Sequence, residues 1–252
     1  SSPGRRNYRN YMIKKPLVIC ILAAGKGTRM NSSIPKVLHK INNIPLIQYV
    51  IETSLSLKPN KVISIIGYKK ELVEDSLKEF NTAFAYQYEQ NGTAHAVEQC
   101  LEKISQIGGN TLILSGDVPF ISKKTLQNLI EIHIKNDSLG SLISAKTKDP
   151  SGYGRIVKDN KNNFIKIVEH KDANSQEINI NEINSGIYIF DTNTLCEKIP
   201  LIKNNNNQKE YYLTDIFNFI KKNKISIIKT ELIKEIAGIN TLEQLKNMTQ
   251  SI

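Results

Sequence analysis

The sequence predicts an α/β fold built from βαβ units around a mostly parallel sheet. Two observations carry that expectation. Short apolar runs alternate with stretches of helical periodicity, and the chain is long and apolar enough to bury a core. It has 252 residues and is 40% hydrophobic and 23% charged, an ordinary globular balance for one large domain or two small ones.

The elements follow in order. Leu17–Leu22 reads as a short buried strand, and Pro45 to Leu55 as a helix with proline in its first turn. Val62–Ile66 is a strand, and Val73, Leu77 and Phe80 repeat at helical spacing. Ala83–Tyr86 is a strand, and Val97, Cys100, Leu101 and Ile104 share one face of the next helix. Thr111–Leu114 is a strand, and Ser122 caps a helix carrying Leu126, Leu129 and Ile130. Alternation of this kind favours parallel strands joined by helical crossovers. After Gly140 the pattern changes. Ser141–Ala145 is a strand, Arg155–Lys158 and Phe164–Glu169 form a hairpin around Asp159–Asn163, and Ser185–Phe190 is a strand. Tyr212–Lys221 is helical, Ser226–Lys229 is a short strand, and a last helix begins at Thr241.

Composition excludes several classes. No apolar run is long enough to span a bilayer, and residues 1–11, read as a tail before a natural start at Met12, lack the apolar core of a secretory signal. Cys20, Cys100 and Cys196 show no paired spacing, which disfavours disulfides and zinc and suits a reducing cytoplasm. The four histidines have no ligand spacing. The net charge is +10, yet five basic residues and no acid lie in the first fifteen positions, so the excess is no nucleic-acid stripe. No internal repeat is present, in particular no hexapeptide ladder.

Four segments can carry chemistry. Leu22-Ala23-Ala24-Gly25-Lys26-Gly27-Thr28-Arg29-Met30 follows the first strand, where a glycine turn lets backbone N–H groups approach phosphates. Met30 excludes a dinucleotide fingerprint and the placement of Lys26 excludes a P-loop. Arg29 and Lys36 would add cationic clamps; the alternative is a plain turn with two surface cations. Asp117, in Ser115-Gly116-Asp117-Val118-Pro119, is placed to ligate Mg²⁺ or else to cap its own turn. Gln87, with Gly92 and Thr93, can pair with a pyrimidine edge, although a polar loop with a helix cap is the commoner meaning. Gly152–Arg155, Val168–Lys171 and Asn184–Gly186 can together line a sugar pocket, and singly are hairpin chemistry.

Taken in order, these segments, with Pro35-Lys36, Glu182–Asn184, Glu210–Asp215 and Gly238–Asn240, resemble the bacterial N-acetylglucosamine-1-phosphate uridyltransferases, specifically the pyrophosphorylase half of that bifunctional family. The resemblance runs from Val18 to Asn240 and implies a Rossmann-like nucleotidyltransferase fold. That fold has a mixed, mostly parallel sheet, helices on both faces and a small β-rich sugar-binding insertion. It implies a domain over residues 12–240, a linker helix starting in 241–252, and absence of the family's β-helical acetyltransferase half, leaving a monomer. The implied reaction joins UTP and N-acetylglucosamine 1-phosphate into UDP-N-acetylglucosamine and pyrophosphate, a precursor step for cell wall and lipopolysaccharide, with Mg²⁺ and with neither nucleic acid nor membrane as partner. By the same resemblance Asp117 and Asn240 hold the metal. Arg29 and Lys36 neutralise phosphates beneath the Leu22–Gly27 turn. Gln87, Gly92 and Thr93 read uracil, and Gly154, Glu169, Asn184 and Thr214 hold the sugar. Ser115, Ser185 and Thr241-Leu242 depart from the family pattern. Rival readings are a sibling enzyme with another base or sugar, a non-catalytic subunit of the same fold, and a nucleic-acid binder.

Overall fold

The computed structural model describes residues 14–251; the expected tail and Met12 start lie outside the described residues. Eleven strands occur among them: β1 (Leu17–Ala23), β2 (Lys40–Ile41), β3 (Ile44–Pro45), β4 (Lys61–Ile66), β5 (Ala83–Tyr86), β6 (Asn110–Ser115), β7 (Gly140–Lys146), β8 (Arg155–Lys158), β9 (Phe164–Val168), β10 (Glu182–Asp191) and β11 (Ile225–Thr230). The α-helices are α1 (Leu46–Ser56), α2 (Lys70–Leu77), α3 (Thr93–Glu98), α4 (Leu101–Ser105), α5 (Lys123–Lys135), α6 (Thr192–Lys198), α7 (Ile233–Ile236) and α8 (Leu242–Gln250).

The main sheet runs β11-β7-β10-β6-β1-β4-β5, and the β8–β9 hairpin hangs from β10. Strands β1, β4, β5 and β6 are parallel neighbours, and β11 is parallel to β7. Strand β10 runs antiparallel to both β6 and β7, which makes the sheet mixed. Alternation along β1 sends Val18 and Cys20 to one face and Ile19 and Ile21 to the other, and each pair is buried in a different core. One core takes Val97, Ile104 and Leu195 from α3, α4 and α6, with Cys100 from the link between α3 and α4; the other takes Ile47, Val73 and Leu126 from α1, α2 and α5. Helices therefore cover both faces, as a parallel sheet requires.

Several elements differ from expectation. The helix carrying Val97 and Ile104 is two helices, broken at Cys100, whose φ of −114° and ψ of 3° leave the helical region. Phe80 lies past the end of α2, and the Tyr212–Lys221 helix is a 3-10 turn over Leu213–Phe219. Pro45 precedes α1 rather than filling its first turn. Ser122 does cap α5, accepting from the Thr125 N–H at 3.2 Å. Helix α8 is closed by a capping box between Thr241 and Gln244 and packs Leu245 and Met248 beside Met30, Ile41 and Ile239. None of the helices among the described residues is long and apolar enough to cross a membrane.

Candidate active site

The carboxyl ends of β1, β4, β5 and β6 lie side by side, with Leu22 paired to Ser115, Ala23 to Ile66, and Ile66 to Tyr86. Ligands of open parallel sheets bind beyond that edge. Here the chain leaves β1 through Ala24–Gly27, leaves β6 through Gly116–Asp117 and leaves β5 at Gln87. Leu22, Ala23, Ala24, Gly25, Lys36, Gln87, Gly92, Thr93 and Asp117 line one cleft of about 270 Å³. Val37, Gln90, Ala96, Ser115 and Glu210 complete its wall.

Two glycines make the cleft's geometry possible. Gly27 has φ +68°, and a Cβ there would stand 2.5 Å from the Lys36 Cβ, so only glycine lets the Lys36 turn approach. Gly92 has φ +109°, and a Cβ there would stand 2.5 Å from the Tyr211 carbonyl oxygen. That close approach is held by Ala94 N–H donating to Tyr211 and Tyr211 N–H donating to Asn91, each at 2.8 Å, while the Thr93 hydroxyl accepts from Leu213 N–H at 2.9 Å.

Lys36 is the hub of the charged set. Its Nζ is 2.5 Å from Asp117 Oδ2 and donates to Asn240 Oδ1 at 2.8 Å. Asn240 arrives because Ile239 N–H donates to the Asp117 carbonyl at 3.0 Å, tying the two segments together. Arg29 stands apart: it is exposed on the Thr28–Met30 turn and, like Gly27 and Asn240, is absent from the cleft wall. Among the described residues no group of three His, Cys, Asp or Glu side chains gathers to hold a metal.

Gln87 differs from expectation in one respect. Its Nε2 donates to the Gly92 carbonyl at 3.1 Å and lies 2.9 Å from His95 Nδ1, so both amide hydrogens are engaged inside the protein. The side chain keeps its oxygen, not its N–H groups, for a ligand.

The remaining candidates form a second cluster. Thr214 donates to Glu169 Oε1 at 2.9 Å, Asn184 N–H donates to the Gly154 carbonyl at 2.9 Å, and Asn184 Nδ2 donates to the Tyr188 hydroxyl at 2.6 Å. A Cβ on Gly154 would lie 3.5 Å from both Asn184 Cβ and Glu169 Oε2. Burial raises the Glu169 carboxyl above its usual range, partly offset by the Thr214 hydrogen bond, with Asp215, Asp172 and Glu210 adding repulsion. Desolvation, with Asp172 accepting from its hydroxyl, pushes Tyr212 up to about 12. These four residues do not line the first cleft. A bulge in β10 connects the two regions: register shifts between Asn184 and Tyr188, and a Cβ on Gly186, at φ +79°, would lie 3.8 Å from Ser115 Oγ.

Sequence reasoning did not single out the wall residues Val37, beside Lys36, Ala96, on α3, and Gln90, in the loop between Gln87 and Gly92. A signal existed in Gly67 after β4, where a Cβ would stand 2.2 Å from the Gln87 carbonyl and 3.1 Å from Gln90 Nε2.

Residues 18–230 match the family described as nucleotidyl transferase. The chain belongs to the nucleotidyl transferase family. Its sequence is 47% identical over 232 residues to the bifunctional protein GlmU of Thermosipho melanesiensis, covering 92% of this chain and 50% of that one. It is 44% identical over 204 residues to the GlmU of Streptococcus uberis, covering 81% and 44%. The chain thus spans about half the length of the curated relatives it matches. A UDP-glucose pyrophosphorylase solved with UDP-glucose superposes with a TM-score of 0.73 at 20% identity, covering 94% of this chain and 98% of that one. At that identity the likeness speaks to the fold, which is that of a nucleotidyl transferase with a mixed, mostly parallel sheet.

Proposed function

We propose that the protein transfers UMP from UTP to N-acetylglucosamine 1-phosphate, with Mg²⁺, releasing pyrophosphate and UDP-N-acetylglucosamine. The observation that carries this reading is the convergence of Lys36, Asp117 and Asn240 beside the glycine turn at the sheet's carboxyl edge. GlmU relatives at 41–47% identity over this half support it. The product feeds cell-wall and lipopolysaccharide precursors, and free cysteines suit the reducing cytoplasm where that synthesis would run.

The donor chemistry fits the metal. Asp117 and Asn240 direct two hard oxygens at one positive centre, the Lys36 ammonium, and a magnesium ion takes one or two such protein ligands with water and phosphate oxygens. When bound, Mg²⁺ would neutralise triphosphate charge and orient its oxygens. The chain's own residues position and neutralise. The Gly25–Gly27 turn presents backbone N–H groups to the phosphates, and Lys36 adds a cation, joined by the exposed Arg29. Gln87 Oε1 and the Gly92 backbone meet the base edge, with Thr93 beside them. Gly154, Glu169, Asn184 and Thr214 receive the sugar hydroxyls. The sugar phosphate oxygen bonds to the α-phosphorus as the bond to the pyrophosphate oxygen breaks. No covalent enzyme intermediate is required, so rate comes from alignment and charge stabilisation.

Pyrophosphate release, measured with each nucleoside triphosphate against a panel of sugar 1-phosphates, tests the reading. UTP with N-acetylglucosamine 1-phosphate should exceed every other pair by about 10-fold or more, the discrimination of roughly one well-made polar contact. A better pair would replace the assignment with a sibling activity, and no release from any pair would leave a non-catalytic subunit.

A further inference from the structure

We propose that His95 is a positioning residue that sets base choice by locking the Gln87 carboxamide; the proposal rests on the uridylyl-transfer reading. Gln87 is buried, at 3% exposure, on the wall of the cleft. Its amide nitrogen donates to the Gly92 carbonyl, an atom that can only accept, so that contact fixes which end of the amide faces Gly92. The second amide hydrogen points to His95 Nδ1 at 2.9 Å. A donor there needs an acceptor, so Nδ1 carries no proton and the ring proton sits on Nε2. His95 is half-buried and lines a neighbouring open cleft with Asn91 and Glu98, where that proton can meet water.

Among the described residues, neither Gln87 Oε1 nor the Gly92 N–H has a hydrogen-bond partner within the chain. The site therefore presents a fixed acceptor and a fixed donor. Uracil offers the complement, its ring N–H to Oε1 and an adjacent carbonyl to Gly92. Cytosine sets an unprotonated ring nitrogen against Oε1, two acceptors face to face. A glutamine free to turn would relieve this by presenting its NH₂ group instead. Here the turn is opposed, because the reversed amide would set its oxygen against the Gly92 carbonyl and would force the His95 proton from Nε2 to Nδ1. His95 thus supplies part of the penalty against the wrong base without touching it.

The test compares kcat/KM for UTP and CTP in the wild-type chain, His95→Leu and His95→Asn. Leucine removes the acceptor, and the UTP/CTP ratio should fall about 5- to 10-fold, the worth of one hydrogen bond, with KM for the sugar phosphate unchanged. Asparagine can set its side-chain oxygen near the place of Nδ1 and should restore most of the ratio. An unchanged ratio in His95→Leu, or an equal loss with both nucleotides, overturns the proposal. Wild-type protein that releases no pyrophosphate from UTP would instead defeat the uridylyl-transfer reading. Should His95→Leu fail to fold, ¹⁵N NMR of the wild-type imidazole at pH about 8, above the ordinary histidine range, decides the geometry. An unprotonated Nδ1 is expected, and a proton on Nδ1 overturns the proposal.

Discussion

The cleft at the ends of β1, β4, β5 and β6 holds its carboxylate against a cation, whereas the β8–β9 side holds Glu169 against a hydroxyl. Asp117 meets the Lys36 ammonium at 2.5 Å, and both side chains keep 17–19% of their surface exposed. Glu169 accepts from Thr214, is half-buried, and has Asp215, Asp172 and Glu210 as its charged neighbours. On the proposed reading the first region balances the charge of phosphates and the second holds a neutral, hydroxyl-bearing ligand; the native state disfavours the charge of Glu169. The difference follows from backbone: parallel strand ends and glycine turns bring N–H groups and cations to one edge, while an antiparallel hairpin brings polar side chains.

The largest effect should fall on the charged side. Asp117→Ala should lower kcat/KM by about 100- to 1,000-fold, as expected when a preorganised charge-stabilising group is lost, and should leave the fold intact because the pair is partly exposed. Lys36→Ala should lose about 100-fold by the same argument. Steady-state kinetics with far-UV circular dichroism checks both, and near-normal turnover in either would erase the contrast between the regions.

A second contrast concerns acid. His133, buried at the amino ends of β6 and β7 between Ser141 and Asn110, is pushed down to about 4 by desolvation. The unfolded chain then binds a proton that the native protein refuses, so stability is lost as pH falls below about 6.5. Denaturant midpoints should report a loss of roughly 2 kcal/mol between pH 7.5 and pH 5, and His133→Gln should flatten the slope.

Much of the fold and part of the cleft were legible in the sequence because their signals are local. The turn after β1, Pro35-Lys36, the Ser122 cap and the Asp159–Asn163 hairpin are each complete within a few residues. What was not legible depends on contacts between distant segments. Lys36 and Asn240 meet across 204 residues. The spacing of Val97, Cys100, Leu101 and Ile104 holds across a broken helix, because both pieces face one core. Strand β10 starts earlier than its apolar run, since Glu182, Asn184 and Ser185 are polar yet buried. The engagement of both Gln87 amide hydrogens needs the position of His95 in space.

The smallest expected effect lies on the Glu169 side and has the opposite sign to that of His133. A carboxyl raised by burial binds its proton more tightly in the native state, so its contribution is full at acid pH and is lost as pH rises through the native value. Glu169→Gln keeps an oxygen for the Thr214 hydroxyl and removes the charge. Its thermal midpoint should exceed that of wild type at neutral pH, and the two should converge below pH about 4.

The division between the two regions is tested most directly by calorimetric binding of UTP with Mg²⁺ to wild type, Lys36→Ala and Glu169→Gln, with no sugar phosphate present. UTP affinity should fall about 10-fold or more in Lys36→Ala, the loss of a charge-assisted contact, and stay within about 2-fold of wild type in Glu169→Gln. Equal weakening in both variants, or none in Lys36→Ala, would contradict the account.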